Sequence, residues 1–343
     1  MRAVKLYAPG DLRLVEIEKP SPGLGEVLVQ VKEVGICASD IHYFRDGRIG
    51  DAVVTEPLIL GHEFAGLIAE VGDGVTNIKP GDRVAVEPAI PCYKCDMCAA
   101  KDYNLCRNIE FCGTPPYNGA FRELLAWPAQ LVQLIPDSMS MGEAAMLEPF
   151  AIGVYAVDIA EPVQGKSVGV LGVGAIGLSI LQAAKAAGCG ETFATDLIPD
   201  RLELAHRLGA GQTFDAADPR LVESVIEATG GHGLDIVFEA AGENEAVCQA
   251  TEMVRPGGLV VVGGIPREDY MTVTASVVRR KGLTIKLLRR SNQTIRRSIE
   301  LVKSGRVDVA SFITHRFPLE QITEAFEVAR DRKDGALRVV VQL

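Results

Sequence analysis

The sequence predicts an α/β chain made of a β-rich part and a doubly wound parallel sheet. Three observations carry this expectation. Residues 1 to 90 hold short runs rich in β-branched residues, bounded by turn signals such as Lys79-Pro80-Gly81-Asp82. From Val168 onward, apolar strand-length runs alternate with helix-length segments, the crossovers that parallel strands need. Between the first such run, Ser167-Val168-Gly169-Val170-Leu171, and the first helical pattern lies the turn Gly172-Val173-Gly174-Ala175-Ile176-Gly177.

In the β-rich part the expected strands are Ala3 to Leu6, Leu12 to Ile17, Val27 to Val34, Leu67 to Val71 and Arg83 to Val86. In the second part the strand cores are Val168 to Leu171, Thr192 to Thr195, Gln212 to Phe214, Ile236 to Phe238, Leu259 to Val262 and Thr284 to Leu287. Helices are expected between them, among others at Pro199 to Leu208 and Pro219 to Thr229. Pro199 suits a first helical turn, where its missing N–H has no intrahelical partner to lose. In the tail, Ile295, Ile299 and Val302 share one helical face, and Ile322, Phe326 and Ala329 share another. Arg338 to Val341 ends the chain as a strand.

The 343 residues allow two domains. Hydrophobic residues at 48% and charged residues at 23% suit a globular protein with a sizeable core. A net charge of −10 argues against nucleic acid and against anionic membrane surfaces as partners. No apolar run reaches transmembrane length, and Met1-Arg2-Ala3-Val4-Lys5 lacks the apolar core of a signal peptide, so the expected location is cytoplasmic. Four of the eight cysteines fall between 92 and 106, and in a reducing compartment such clustering suggests metal.

The glycine turn carries chemistry of its own. Glycines let the backbone turn sharply and approach a pyrophosphate, and the helix N-terminus then offers free N–H groups. Asp196 ends the next strand, 19 residues after Gly177. An acid there accepts hydrogen bonds from ribose hydroxyls and repels a 2′-phosphate, which points to NAD rather than NADP.

Cys92, Cys95, Cys98 and Cys106 have the spacing C-x2-C-x2-C-x7-C. Four thiolates close a tetrahedral zinc site with no open position, a structural site that would supply much of the loop's folding energy. Unrelated cysteines or disulfides are the competing reading. Cys37, His62 and Glu63 form a looser set, with Glu148 in Leu147-Glu148-Pro149 as a further acid. Three protein ligands and an open position make a catalytic zinc. From spacing alone, a structural or solvated role for each of these residues weighs about as much.

Taken together, these segments resemble the zinc-containing medium-chain dehydrogenases, and within them the polyol branch, the sorbitol and xylitol dehydrogenases. The resemblance runs through Gly35-Ile36-Cys37-Ala38-Ser39-Asp40-Ile41-His42-Tyr43, Gly61-His62-Glu63-Phe64-Ala65-Gly66, the cysteine loop, Gly113-Thr114-Pro115-Pro116, Glu148-Pro149, the glycine turn and Thr314-His315-Arg316-Phe317-Pro318-Leu319. It covers essentially the whole chain. It implies a GroES-like catalytic domain over 1–149 and 288–343 with a structural zinc lobe at 92–106, and a Rossmann NAD-binding domain over 150–287.

By motif match, Cys37, His62 and Glu63 hold the catalytic zinc. Glu148 sits close by, as a ligand or hydrogen-bonded to the zinc water. Ser39 and His42 are the implied proton route, because a hydroxyl can pass a proton and a histidine can take one near neutral pH. Gly172, Gly174, Ile176 and Gly177 would line the pyrophosphate, Asp196 the ribose and Arg201 the adenosine side. Val262, Gly263 and Gly264 end the strand where the nicotinamide should lie, and Leu288 and Arg289 complete the cofactor set. Tyr43, Phe111, Thr114 and Arg289 fall on substrate positions. The implied reaction oxidises a secondary hydroxyl of a polyol to the ketose, zinc acidifying the hydroxyl and NAD taking the hydride. The family also implies a homo-oligomer, dimer or tetramer.

One segment departs from the polyol pattern: Arg289-Arg290-Ser291-Asn292 stands where those enzymes carry Arg-Tyr-Cys-Asn. Arg290 either favours a longer or acidic polyol or faces solvent. A related zinc dehydrogenase for threonine, butanediol or a sugar is the rival within enzymes. A zinc-stabilised NAD-binding protein without turnover is the rival outside them.

Overall fold

The computed structural model describes residues 1–160, 162–266 and 270–343. The chain divides into two compact units. One holds Met1–Glu148, Ile295–Ser304 and Val309–Leu343, and the other Pro149–Thr294 and Gly305–Asp308.

The first unit is built on a seven-stranded sheet in the order Val132–Leu134, Arg83–Val86, Glu63–Val71, Glu26–Gly35, Arg338–Gln342, Ile313–Pro318, with Leu124–Pro128 also paired to Glu26–Gly35. Its pairs are antiparallel except the last, where Ile313–Pro318 runs parallel to Arg338–Gln342. The register sets Gly35 opposite both Glu63 and Val340. That alignment brings the end of one strand, the start of the second and the start of the third together. The tail helix Ile322–Asp331 buries Ile322, Ala325, Phe326 and Val328. Phe326 makes edge contacts with Phe44 at 5.2 Å and Phe121 at 5.6 Å. Each such pair adds about 0.5–1.5 kcal/mol beyond area burial, which helps hold the C-terminal tail in the β-rich unit.

The second unit is a six-stranded parallel sheet in the order Gln212–Asp215, Thr192–Asp196, Val168–Leu171, Leu234–Glu239, Val254–Val262, Thr284–Leu287. In chain order this is 3-2-1-4-5-6, the doubly wound arrangement whose strand order reverses beside Val168–Leu171. That strand is wholly buried, as a parallel strand covered on both faces must be. Each strand core expected from sequence is a strand here, with Leu234–Glu239 and Val254–Val262 longer than their apolar cores.

The second crossing between units lies after Thr294 rather than after residue 287. Leu288 N–H donates to Val262 O at 2.8 Å, and the Thr294 hydroxyl donates to Ala151 O at 2.7 Å, so this stretch stays tied to the parallel sheet unit. Residues 305–308 return to that unit because Gln182 and Asp308 exchange two hydrogen bonds, at 2.9 and 2.8 Å. Among the described residues no helix is long and apolar enough to cross a membrane.

Candidate active site

Cys37, His62 and Glu63 offer one donor atom each, all within 4.8 Å of one another. The sheet register explains the meeting. Cys37 follows strand Glu26–Gly35 as the N-cap of helix Ala38–Asp46, and His62 and Glu63 open the paired strand. Asp40, in the first turn of that helix, holds both approaches: its carboxylate accepts from Cys37 N–H at 3.0 Å and Gly61 N–H at 3.1 Å. Its Oδ1 also lies 3.8 Å from His62 Nδ1. Burial pushes the Asp40 carboxyl up, opposed first by His62.

Several donor atoms of this cluster make no hydrogen bond. Both Glu63 oxygens, His62 Nδ1 and Glu148 Oε2 are buried without a hydrogen bond. Burial, with Glu63 beside it, pushes the Cys37 thiol up to about 12. Burial also holds the Glu148 carboxyl well above its usual range, opposed by His62 and reinforced by Glu63 and Cys37. Such a set is unfavourable by itself and is satisfied by a divalent cation, which binds the thiolate and neutralises the acids. Cys, His and a carboxylate are ordinary zinc donors. Glu148 is 3% exposed and senses all three, but it falls outside the compact trio. The buried Arg338 lies with Nη2 3.2 Å from Glu63 Oε1 and donates from Nη1 to Ile36 O at 2.8 Å.

The four clustered cysteines also converge within 4.8 Å. Cys95 Sγ lies 3.6 Å from Cys98 Sγ and 3.9 Å from Cys106 Sγ. A disulfide needs about 2.05 Å, whereas sulfurs about 2.3 Å from a shared zinc sit about 3.8 Å apart on a tetrahedron's edges. The spacing therefore fits a closed S4 site. The backbone N–H of Lys94 is the first of several donors that lower the Cys92 thiol to about 6, while burial raises Cys98 to about 12.

In the parallel-sheet unit, Gly172 has φ +83°, and a Cβ there would meet Ala241 backbone atoms at 2.7 Å. At Gly177 a Cβ would run into Gly172 O. Gly174 is different. It caps helix Ala175–Ala186 with no side-chain cap, and a Cβ would meet nothing nearer than Arg201 Nη1 at 3.8 Å. Packing demands the first two glycines, and open approach to the helix N-terminus is what the third leaves, as a pyrophosphate requires. Asp196 is spoken for in part: it accepts from Val173 N–H at 2.9 Å and Ile198 N–H at 3.0 Å. Each oxygen keeps a further acceptor site for a ribose hydroxyl. At the C-terminal ends of the later strands a cavity of about 290 Å³ is lined by Glu239, Val262, Gly264, Tyr270, Leu287 and Leu288 among others.

Comparison with known proteins agrees with this architecture. The alcohol dehydrogenase GroES-like domain matches residues 23–137, and the zinc-binding dehydrogenase domain matches residues 175–304. The chain is 38% identical to a sorbitol dehydrogenase of Bacillus subtilis, covering 99% of this chain and 97% of that protein. It is 38% identical to a probable D-xylulose reductase A of Neosartorya fischeri, over 92% of this chain and 90% of that one. The chain belongs to the zinc-binding alcohol dehydrogenases. Among solved structures it is similar to an Escherichia coli oxidoreductase of unknown specificity, with a TM-score of 0.95, 35% identity, and 99% and 98% of the two chains covered. It is thus a zinc-dependent dehydrogenase that works with a nicotinamide dinucleotide, with a GroES-like β-rich domain and a Rossmann domain.

Several expected residues of this dehydrogenase lie beside the metal donors. Ser39 is close enough to Cys37 to favour its thiolate. The Phe111 ring lies 5.2 Å from the His62 ring. Thr114 N–H donates to Phe111 O at 3.1 Å, so its backbone closes the turn after Phe111. His42 Nδ1 lies 3.3 Å from Arg45 Nη2 and 3.7 Å from Asp46 Oδ2. Tyr43 is a core residue at 3% exposure, packed with the apolar cluster of the β-rich unit. In the Rossmann domain, Gly263 N–H donates to Glu239 O at 2.8 Å, Gly264 N–H meets Glu239 Oε2 at 3.2 Å, and Arg289 is exposed.

Three residues of the site escaped the sequence reading. Asp40 had a signal, an acid three residues after Cys37 at a helix start, the position of a capping acid. Arg338 had one too, a cation heading the apolar run Val339-Val340-Val341, which must find a partner once buried. Glu239 ends a parallel strand as Asp196 does, and it accepts from Ala241 N–H at 2.8 Å and Gly242 N–H at 2.6 Å.

Proposed function

We propose that the chain oxidises a secondary hydroxyl of a polyol to the ketose, with NAD as hydride acceptor. The observation that carries this reading is the convergence of Cys37, His62 and Glu63 with their buried, unbonded donor atoms. The two relatives named above supply the substrate class: sorbitol dehydrogenase and D-xylulose reductase both name polyol–ketose chemistry.

Cys37, His62 and Glu63 would hold the catalytic zinc, and Cys92, Cys95, Cys98 and Cys106 the structural one. When bound, the catalytic zinc acidifies the substrate hydroxyl and NAD accepts the hydride. Asp40 fixes the backbone at Cys37 and Gly61, and its charge lies 3.8 Å from His62 Nδ1. Glu148, buried beside the trio, is the carboxyl placed to pass a proton. Ser39 and His42 extend that route. Phe111 and Thr114 border the substrate. Gly172, Gly174, Ile176 and Gly177 receive the pyrophosphate, with Arg201 near Gly174, while Asp196 takes the ribose and selects NAD over NADP. Val262, Gly263, Gly264, Leu288 and Arg289 lie toward the nicotinamide. Eight free thiols fit a reducing, cytoplasmic setting. A dimer or tetramer is the expected assembly, read by light scattering.

The deciding experiment pairs metal content per chain with NAD reduction by sorbitol, xylitol, galactitol, L-threonine and 2,3-butanediol. Two zincs and fastest turnover on a polyol are expected. Faster turnover of threonine or butanediol overturns the polyol assignment, and one zinc with no turnover overturns the enzyme.

A further inference from the structure

Arg122 has surroundings that the reaction above does not use. It sits between Phe121, which is buried, and Glu123, whose carboxylate is taken by Arg2 at 2.7 Å. Its Nε is buried without a partner, and among the described residues its guanidinium makes no hydrogen bond or ion pair. Arg83 and Arg338 of the same unit also leave Nε unpartnered, but each has a partner for a terminal nitrogen: Arg83 donates to Met139 O, and Arg338 meets Glu63 and Ile36 O. A guanidinium whose inner nitrogen is drawn out of water without a partner is unfavourable, and burial accordingly lowers its pKa.

No protein anion answers it. The titratable neighbour it senses is Cys112, whose thiol lies 3.5 Å from Gly61 O and is pushed up to about 12 by burial, so it stays neutral. The two terminal nitrogens of Arg122 keep access to water. A planar fork of N–H donors, half withdrawn and open at its tip, suits a carboxylate or phosphate.

We propose that Arg122 is the receptor for an oxyanion, a carboxylate or a phosphate. Its place supports a substrate group as the source. Cys112 lies between Phe111, which packs on the His62 ring, and Gly113, whose backbone lies against Gly61. Arg122 belongs to the same unit as the metal donors, and Cys112, the titratable group it senses, is the chain neighbour of Phe111. This rests on the polyol reading and deepens it: the substrate would be an acidic or phosphorylated polyol. A free anion shares the chemistry and is the other source.

The zinc-loaded protein and its Arg122→Gln and Arg122→Lys variants are titrated with inorganic phosphate by calorimetry. Kinetics are then measured with a hexitol, its phosphate and the corresponding aldonate. Phosphate affinity should fall at least about tenfold in the Gln variant and recover in part in the Lys variant. If the substrate carries the anion, the ratio of kcat/KM for anionic over neutral polyol falls by a similar factor. If the anion is free, phosphate affinity falls while that ratio holds. Phosphate binding that is absent in the parent, or equal in all three proteins, overturns the proposal. So does a change of oligomeric state with no anion effect. If no alcohol is oxidised, the polyol reading fails, while the phosphate titration still decides the receptor.

Discussion

Arg338 and Glu63, from opposite ends of the chain, form a buried ion pair beside the candidate metal donors, with Nη2 3.2 Å from Oε1 and side chains 6% and 0% exposed. Burial opposes the arginine's charge, but Glu63, Cys37 and Glu148 outweigh it and keep the guanidinium protonated. Removing the arginine leaves Glu63 without its counter-charge, a change that costs about 3–5 kcal/mol for a buried pair. A bound zinc would supply part of that charge. Arg338→Met should therefore lower the melting temperature of chelator-treated protein more than that of zinc-loaded protein. Equal losses in the two states would place Glu63 away from the metal.

Cys106→Ser tests the closed site separately. Zinc per chain should fall from two to one, and limited proteolysis should open the 92–106 loop first, since such a lobe takes much of its local folding energy from the metal. Unchanged zinc content refutes the four-thiolate site.

Glu148 lies beside the trio but outside it. Glu148→Gln should keep two zincs per chain while turnover falls by roughly 10²–10⁴-fold, the range for a lost general acid–base group. Loss of one zinc instead would make Glu148 a ligand.

Asp196 serves the turn and the ribose together, so two variants are needed. Val173 and Ile198 donate to different Asp196 oxygens, so Asp196→Asn keeps one of the two hydrogen bonds and sets its NH2 against the other N–H, whereas Asp196→Ala removes both. Both should raise KM for NAD by about 10–100-fold, the scale of a charge-assisted hydrogen bond, and relax discrimination against NADP. Both should also lose thermal stability through the turn, while a loss of NAD discrimination beyond that seen in equally destabilised controls reports the ribose contact. Unchanged cofactor kinetics in both would remove Asp196 from the ribose.

Asp235 gives the parallel-sheet unit a pH-dependent tie. It accepts from Arg255 Nε at 2.6 Å and from Ser167 N–H at 2.9 Å. Burial works against its charge, yet Arg255 and Ser167 prevail and hold its carboxyl below the usual range. A depressed carboxyl stabilises the fold above its unfolded pKa and loses that contribution as pH falls through its folded value. Asp235→Ala should cost about 1–3 kcal/mol near neutral pH. The gap between parent and variant melting temperatures should close as the solution is acidified below pH about 4, the unfolded aspartate's range. A gap independent of pH would assign the loss to packing.

What the sequence determined by itself is local in character. Alternation of apolar runs with helical segments determined the parallel sheet, because crossover helices are the only short way to join parallel strands. Spacing within 15 residues brought Cys92, Cys95, Cys98 and Cys106 together, because a loop that short has few ways to keep them apart. The glycine turn was legible for the same reason: Gly172, Gly174 and Gly177 act on backbone within a single turn.

The tertiary structure decided what depends on register. Cys37 and His62 meet because Gly35 pairs with Glu63, and Arg338 joins them because Gly35 also pairs with Val340. Nothing in the spacing of those residues encodes that alignment; side-chain period and bulges across three strands do. The same holds for partners. Sequence could mark Arg338 and Arg122 only as cations near apolar residues. Only folding, which withdraws both from water, gave one of them Glu63 and left the other with no carboxylate among the described residues.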